Sequence, residues 1–457
     1  MKALSRSHSV ENSSMPFDDF QETEKNFSAI FDRLFPLLRS ITGPGTLESY
    51  RILQEFMPLN ISRVDTGTKV FDWTVPQEWR CEEAYLLGPD GEIVVDMKDS
   101  NLHILNYSAP IDAKMSLQEL DPHLFTIPQK PDAIPYTSSY YKKRWGFCLS
   151  DRQKQTLKDG EYHAVIKSEF VDGGVDIAQT KLEGRSQREI ILSSYMCHPS
   201  LANNELSGPL TLLGLYHRLN KWPKRNHTFR FTIQPETIGT LCMLHQHLDE
   251  IKTNAVGGLI VNMTGGERDR LTYKQSVFKD GIIDKSIHFA QANGVVLDTL
   301  DFDPNSGADE RHYATPGVRI PVCNVTRDFY HLGFVGYHNS LDTKEYMRIE
   351  QIINAVDDLE RMLMIADNCV VYENRELVGE PQLGPRGLYP SLNFVAKTPD
   401  EAEKEAHAEL CRIKWLLTLA DGRHDLIDIA ERTGYALHDL AQTAEKLKDN
   451  GLLTLKA

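Results

Sequence analysis

"REIILSSYMCHPSLANNELSGPLTLLGLYHRL", Arg188 to Leu219, decides the fold. It opens on a short apolar run, crosses a polar loop, and closes on apolar residues at helical spacing, so it reads as strand, loop and helix. The loop holds His198 at the strand's exit, then Asn203, Asn204 and Glu205 ahead of Ser207-Gly208. Asn and Ser suit the start of a helix. A histidine at a strand's C-terminal end can also present a neutral nitrogen to a metal ion.

The same alternation continues downstream. "HTFRFTI", "AVGGLIV" and "VRIPVCNV" read as strands; "GTLCMLHQHLDEI", "SIHFAQANG" and "IEQIINAVDDLERMLMI" read as helices. Short apolar strands alternating with helices predict an α/β fold with a mostly parallel sheet covered on both faces. Ligands of such sheets bind where loops leave the carboxyl ends of the strands, and there the polar residues gather. Glu236 leaves the second strand in "IQPETIGT", a place that raises a carboxylate's pKa and suits a general base. Asp309, Glu310 and Arg311 form a polar knot in "NSGADERHY", and His338 precedes the last long helix in "GYHNSLDT". Each has an ordinary structural reading, as a cap, a salt bridge or a loop contact. Together, at converging strand ends, they point to metal-assisted hydrolysis.

Outward from this core the texture changes. Residues 16–68 are largely helical, and with 166–378 they are expected to make the α/β core. Residues 69–165, with the hairpin signal Pro89-Asp90-Gly91, read as an inserted β-rich module. Its Tyr140, Tyr141 and Trp145 are expected either to pack that module or to line a cleft. Residues 1–15 read as a disordered tail, 379–400 as a Gly/Pro-rich linker, and 401–457 as a winged helix-turn-helix punctuated by Gly422, Gly434 and Gly451. The second helix of that unit starts with Asp439 instead of arginines, which disfavours DNA binding. Packing against the core or a second subunit is expected instead.

Composition bounds the partners. Lys+Arg 50 against Asp+Glu 65 gives a net charge of −15, which argues against phosphate-backbone binding. No apolar run reaches membrane-spanning length. Seven scattered cysteines without a C-x-x-C pair suggest reduced thiols and a cytoplasmic protein.

The stretches "RSITGPGT", "WTVPQEW", "NLHILNYSAP", "RWGFCLS", "CHPSLANNELSGP", "PETIGT", "GADERHYATPGV" and "YHNSLDT" span most of the chain. Through them it resembles a bacterial group of aminopeptidase-like proteins, which join a zinc-aminopeptidase (phosphorylase/hydrolase-like) core to an inserted β module and a winged helix. The resemblance implies that His198 and His338 bind metal and that Glu236 is the base. Asn204 falls on the family's bridging aspartate, Thr237 on a glutamate ligand and Asn262 on a further aspartate. Two close divalent ions need several anionic ligands, so one zinc is expected. Its oxygen ligand is open among Glu236, Asp309, Glu310 and the Asn204 carbonyl. If Glu236 is itself that ligand, Glu310 or Glu205 is the base. Arg39 and Arg311, with Asp309 and Glu205, are the expected substrate-binding residues. The resemblance implies amide hydrolysis on a small peptide or on a sugar or metabolite amide, by analogy with surface-polysaccharide biosynthesis. The rival is a non-catalytic ligand-binding protein signalling through its winged helix.

Overall fold

The computed structural model describes residues 20–329, 333–389 and 401–456. The expected tail and half of the expected linker, residues 390–400, lie outside the described residues. An eight-stranded sheet forms the centre. Its order is Asn60–Asp65, Gly174–Leu182, Thr228–Gln234, Glu189–Tyr195, Ala255–Val261, Val322–Thr326, Thr272–Lys274 and Asp298–Leu300. The four middle strands, from Thr228–Gln234 to Val322–Thr326, run parallel, while antiparallel strands flank them.

Side-chain alternation explains why both faces are covered. Ile190 and Leu192 point into one apolar cluster with the helices Phe20–Leu34, Ser207–Asn220 and Ile349–Asp367. Ile191, between them, points into a second cluster with Ile238–Asn254 and the inserted module. Every residue of Glu189–Tyr195 is buried. The helix Ser207–Asn220 presses close to the strand ends: a Cβ on Gly208 would lie 2.5 Å from the Val261 carbonyl oxygen. Glycine is required there for the approach.

The inserted module is an antiparallel sheet of Ile93–Asp96, Glu78–Leu87, Glu161–Val171 and Ile111–Ser116. The Pro89-Asp90-Gly91 turn joins two of these strands. The module's last strand runs to Val171, so the sheet extends past the expected boundary at residue 165. The C-terminal unit holds helices Glu401–Leu419, Leu426–Thr433 and Leu437–Asp449 with a three-stranded sheet. That sheet has Val371–Asn374 at its centre, between Asp421–Asp425 and Leu453–Leu455. Ending the core at residue 378 therefore misplaced one strand. A short run after a long helix carries no periodicity that assigns it to either side. No described helix is long and apolar enough to cross a membrane, and all seven cysteines are free thiols.

Candidate active site

Three parallel strands end at one edge, and each ends in unusual backbone. Beyond Tyr195, Ser200 has φ +46°; beyond Gln234, Thr237 has φ +64°; beyond Val261, Met263 has φ +43°. His338, from the loop before the last long helix of the core, has φ +54°. Non-glycine residues held at positive φ gather at functional sites, because the surrounding structure must offset the strain. Thr237 has ψ −80°, and the Ile238 amide donates to the Glu236 carbonyl oxygen at 2.8 Å. This is a γ-turn of the rare positive-φ kind, and it redirects the chain from strand to helix at Glu236.

His198 and His338 meet across the edge, with ring centroids 5.1 Å apart. The His198 amide donates to Glu205 Oε1 at 2.9 Å, and its Nδ1 lies 2.6 Å from Oε2. With Nδ1 held by Glu205, Nε2 is left for a ligand, the arrangement by which carboxylates orient metal-binding histidines. Burial pushes both imidazoles down to about 3, so both rings are neutral near neutral pH. Burial also raises Glu205 to about 8, against the opposing pull of Arg39. The Arg39 Nε bonds the His198 carbonyl oxygen at 2.9 Å and faces Glu205 at 3.7 Å.

Asn204 donates from Nδ2 to the Tyr195 hydroxyl at 2.8 Å, while its Oδ1 has no partner. The Oδ1 of Asn262 is likewise unpartnered, and both asparagines line one small cleft with Glu236 and His338. Asp342 takes the Asn203 and Asn204 amides at 2.7 and 2.8 Å, fixing a π-helical turn, Ala202–Leu206, ahead of the helix. Such turns recur at functional sites. Glu236 is half-buried, and its carboxyl is raised by burial first and then by Asp309, while Arg311 opposes.

Several expected roles change on these contacts. Glu310 is fully buried, paired to Lys274 Nζ at 2.6 Å and to Asn324 Nδ2 at 2.9 Å. It is committed away from the histidines and is not the missing metal ligand or the base. Arg39 and Glu205 are also fully enclosed and bonded to the His198 loop, so neither can reach a substrate. Asp309, 1 % exposed, accepts from the Thr237 amide and the Thr240 hydroxyl, both at 2.8 Å, and so braces the Glu236 turn without facing substrate. Arg311 is half-buried and donates to Thr237 Oγ1 at 3.1 Å, beside the Glu236 turn. Sequence reading missed Tyr195, Asp342 and Tyr136. Tyr136 comes from the inserted module and stands edge-on to His198 and His338, at 4.8 and 5.3 Å. Its amide donates to the His338 carbonyl oxygen; beside it the Ser340 amide donates to the Ile134 carbonyl oxygen and the Ile134 amide to Ser340 Oγ. No local signal marks Tyr136, because only the insertion's fold brings it there.

Cys197, His198 and Glu205 present ligand-type atoms within 4.8 Å of one another. Burial drives the Cys197 thiol far up, which keeps it protonated, and Glu205 is spent on orienting His198. That triad supports a ligand and is not a closed cage.

Fold and site together define an aminopeptidase-like α/β protein carrying a winged helix. Residues 28–369 match a family described as a domain of unknown function (DUF4910), and residues 370–455 match a winged helix-turn-helix. The chain belongs to that family. A Clostridium acetobutylicum protein, provisionally named a polysaccharide biosynthesis protein with an aminopeptidase-like domain, is 36% identical over 436 residues. That match covers 95% of this chain and 97% of the relative. The crystal structure of a provisionally assigned peptidase from the same species superposes with TM-score 0.79 at 34% identity, covering 95% and 98% of the two chains. A zinc aminopeptidase from Bacillus subtilis shares the fold at TM-score 0.56 and 12% identity, covering 77% of this chain and 96% of its own.

Proposed function

We propose that the chain is a metal-dependent amide hydrolase with one zinc ion held by His198 and His338. The observation that carries this reading is the neutral histidine pair at the sheet edge, with His198 oriented through Nδ1 by Glu205. The donor set fits a cation. Two buried amide oxygens, on Asn204 and Asn262, lack donors beside Glu236 and His338, and an unmet buried acceptor costs about 1–3 kcal/mol. The Asn204 oxygen would complete the set and leave Glu236 free as the base. With neutral Asn204, Asn262 and Thr237 at these places, one ion is favoured over two. Bound there, zinc would polarise an amide carbonyl and acidify water.

The protein's own groups supply the rest. Glu236, with its raised proton affinity, accepts a proton from water and passes it to the departing nitrogen. The γ-turn at Thr237 and the Asp309 brace aim its carboxylate. Tyr136 and Tyr195, against the histidine rings, exclude bulk water and strengthen every charge interaction inside. The substrate is an amide on a small peptide, or on a sugar as the name of the Clostridium relative suggests.

Elemental analysis of the purified full-length protein, with turnover on aminoacyl anilides and N-acyl amino sugars, tests the reading. One zinc per chain is expected, lost in His198→Ala and in His338→Ala. Glu236→Gln keeps the zinc but loses roughly 10²–10⁴-fold in turnover. A chain that takes up no divalent metal under any loading condition would sink the proposal. It would favour a degenerate, ligand-sensing protein, the reading that the neutral residues at three carboxylate positions support.

A further inference from the structure

Beside the active site, the inserted module carries a second feature that hydrolysis does not explain. A groove of about 210 Å³ is lined by the rings of Tyr107, Tyr140, Tyr141 and Phe170, with Lys142 and Lys143 at its rim. Tyr107 is held at φ +65° and packs edge-on against Tyr140 and Phe170, at 5.9 and 5.1 Å. A bulky residue kept in that strained conformation fixes the ring's aim at an energetic cost. Tyr141 is 58% exposed and stands edge-on to Trp73 at 5.3 Å, so a large aromatic face meets water where burial would stabilise it more.

The rim is cationic in an acidic chain. Neither Lys142 nor Lys143 forms an ion pair with a described residue, and Lys143 Nζ lies 5.7 Å over the Phe170 ring. Against a net charge of −15, two adjacent unpaired lysines mark a place for an anion. One wall of the groove packs toward the site. The Tyr140 hydroxyl bonds the Tyr136 hydroxyl, and the Tyr136 ring touches both histidines.

We propose that this groove binds an anionic saccharide residue of the substrate, placing the adjoining amide at the His198–His338 edge. A pyranose has a C–H face that lies on an aromatic ring and an equatorial belt of hydroxyls that seeks donors and acceptors. Tyr141 and Tyr140 supply the rings, and Lys142 and Lys143 meet the carboxylate or phosphate. The volume suits one sugar residue, being below the roughly 300–1,000 Å³ of drug-sized pockets. A peptide backbone would find less here, since the Ser139 and Lys142 amides already donate to Asn106 and Ser139 carbonyl oxygens. The placing of the amide rests on the hydrolase reading; the binding does not.

The test uses the full-length protein and titration calorimetry with trigalacturonic acid, glucose 6-phosphate, maltotriose and the tripeptide Glu-Tyr-Gly. At least one anionic sugar is expected to bind, more tightly than maltotriose or the tripeptide. Tyr141→Ala, and separately Lys142→Ala with Lys143→Ala, should weaken it at least tenfold without changing the melting temperature or zinc content. Which anionic sugar binds tells carboxylate from phosphate. The proposal is overturned if neither binds at millimolar concentration, if the variants bind as the parent does, or if the tripeptide is the preferred ligand. Binding is read without turnover, so a chain that binds the sugar yet hydrolyses nothing refutes the hydrolase alone.

Discussion

At the residue scale, the site is a set of ionisable groups held in their neutral forms. His198 and His338 are pushed down to about 3, while Glu205 and Asp342 are pushed up to about 8 and about 7, in each case chiefly by burial. The two kinds of group affect stability in opposite directions. Below the unfolded histidine value of about 6.5, the unfolded chain holds the imidazole protons and the folded chain does not, so the histidines make stability rise with pH. The carboxyls hold protons in the folded chain well above the unfolded values of about 4, so they make stability fall with rising pH. Above about pH 6.5 only the carboxyl contribution remains. The metal-free protein should therefore lose melting temperature between about pH 6.5 and 8, as scanning calorimetry would read. A rise over that range would mean that Glu205 and Asp342 are ionised in the fold. The strand-end positions of His198 and Glu236 were legible in the sequence, since each follows directly on an apolar strand. The enclosed state of Arg39, Glu205 and Asp309 was not, because a charged residue near a motif reads alike whether it faces substrate or braces a loop.

At the scale of elements, strand-to-helix turns carry the strain. Thr237 is β-branched and sits at φ +64°, ψ −80°, a conformation that glycine reaches without a Cβ clash. Such strain costs on the order of 1–3 kcal/mol, against roughly 0.5–1 kcal/mol of extra backbone entropy lost by glycine. Thr237→Gly should therefore stabilise the protein by about 1 kcal/mol in urea unfolding, as expected where strain is held for function. A lower midpoint would show that the Thr237–Arg311 contact outweighs the strain. The elements themselves were mostly legible. Strand and helix periods predicted the parallel centre, and Pro89-Asp90-Gly91 predicted its hairpin. The short strands Thr272–Lys274 and Asp298–Leu300 were not legible, because three residues are too few to show a period.

At the scale of the whole molecule, ion pairs on two sides tie the winged-helix unit to the core. Glu445, on the helix Leu437–Asp449, is bonded by Arg185 at 2.7 Å and by the Tyr372 hydroxyl at 2.8 Å, and Lys224 lies 3.5 Å away. His438, Gln442 and Lys446 of the same helix are exposed and line an open groove beside this contact. On the other side, Lys285 holds both Asp425 and Asp428 at 2.5 Å. Mobility-shift assays with random-sequence duplex at about 0.15 M salt should show no binding by the full-length protein. A shift at micromolar protein would mean that this exposed helix face binds DNA in spite of the chain's net charge of −15.

The sequence by itself determined the α/β core, the winged helix and the strand ends that carry His198 and Glu236, because periodicity and position along a strand are local properties. Only the tertiary structure decided which of the charged residues face the cleft. It turned Glu310 onto Lys274, enclosed Arg39 and Glu205 behind His198, and brought Tyr136 of the insertion over both histidines. Those outcomes depend on burial and on partners far along the chain, and no local pattern encodes either.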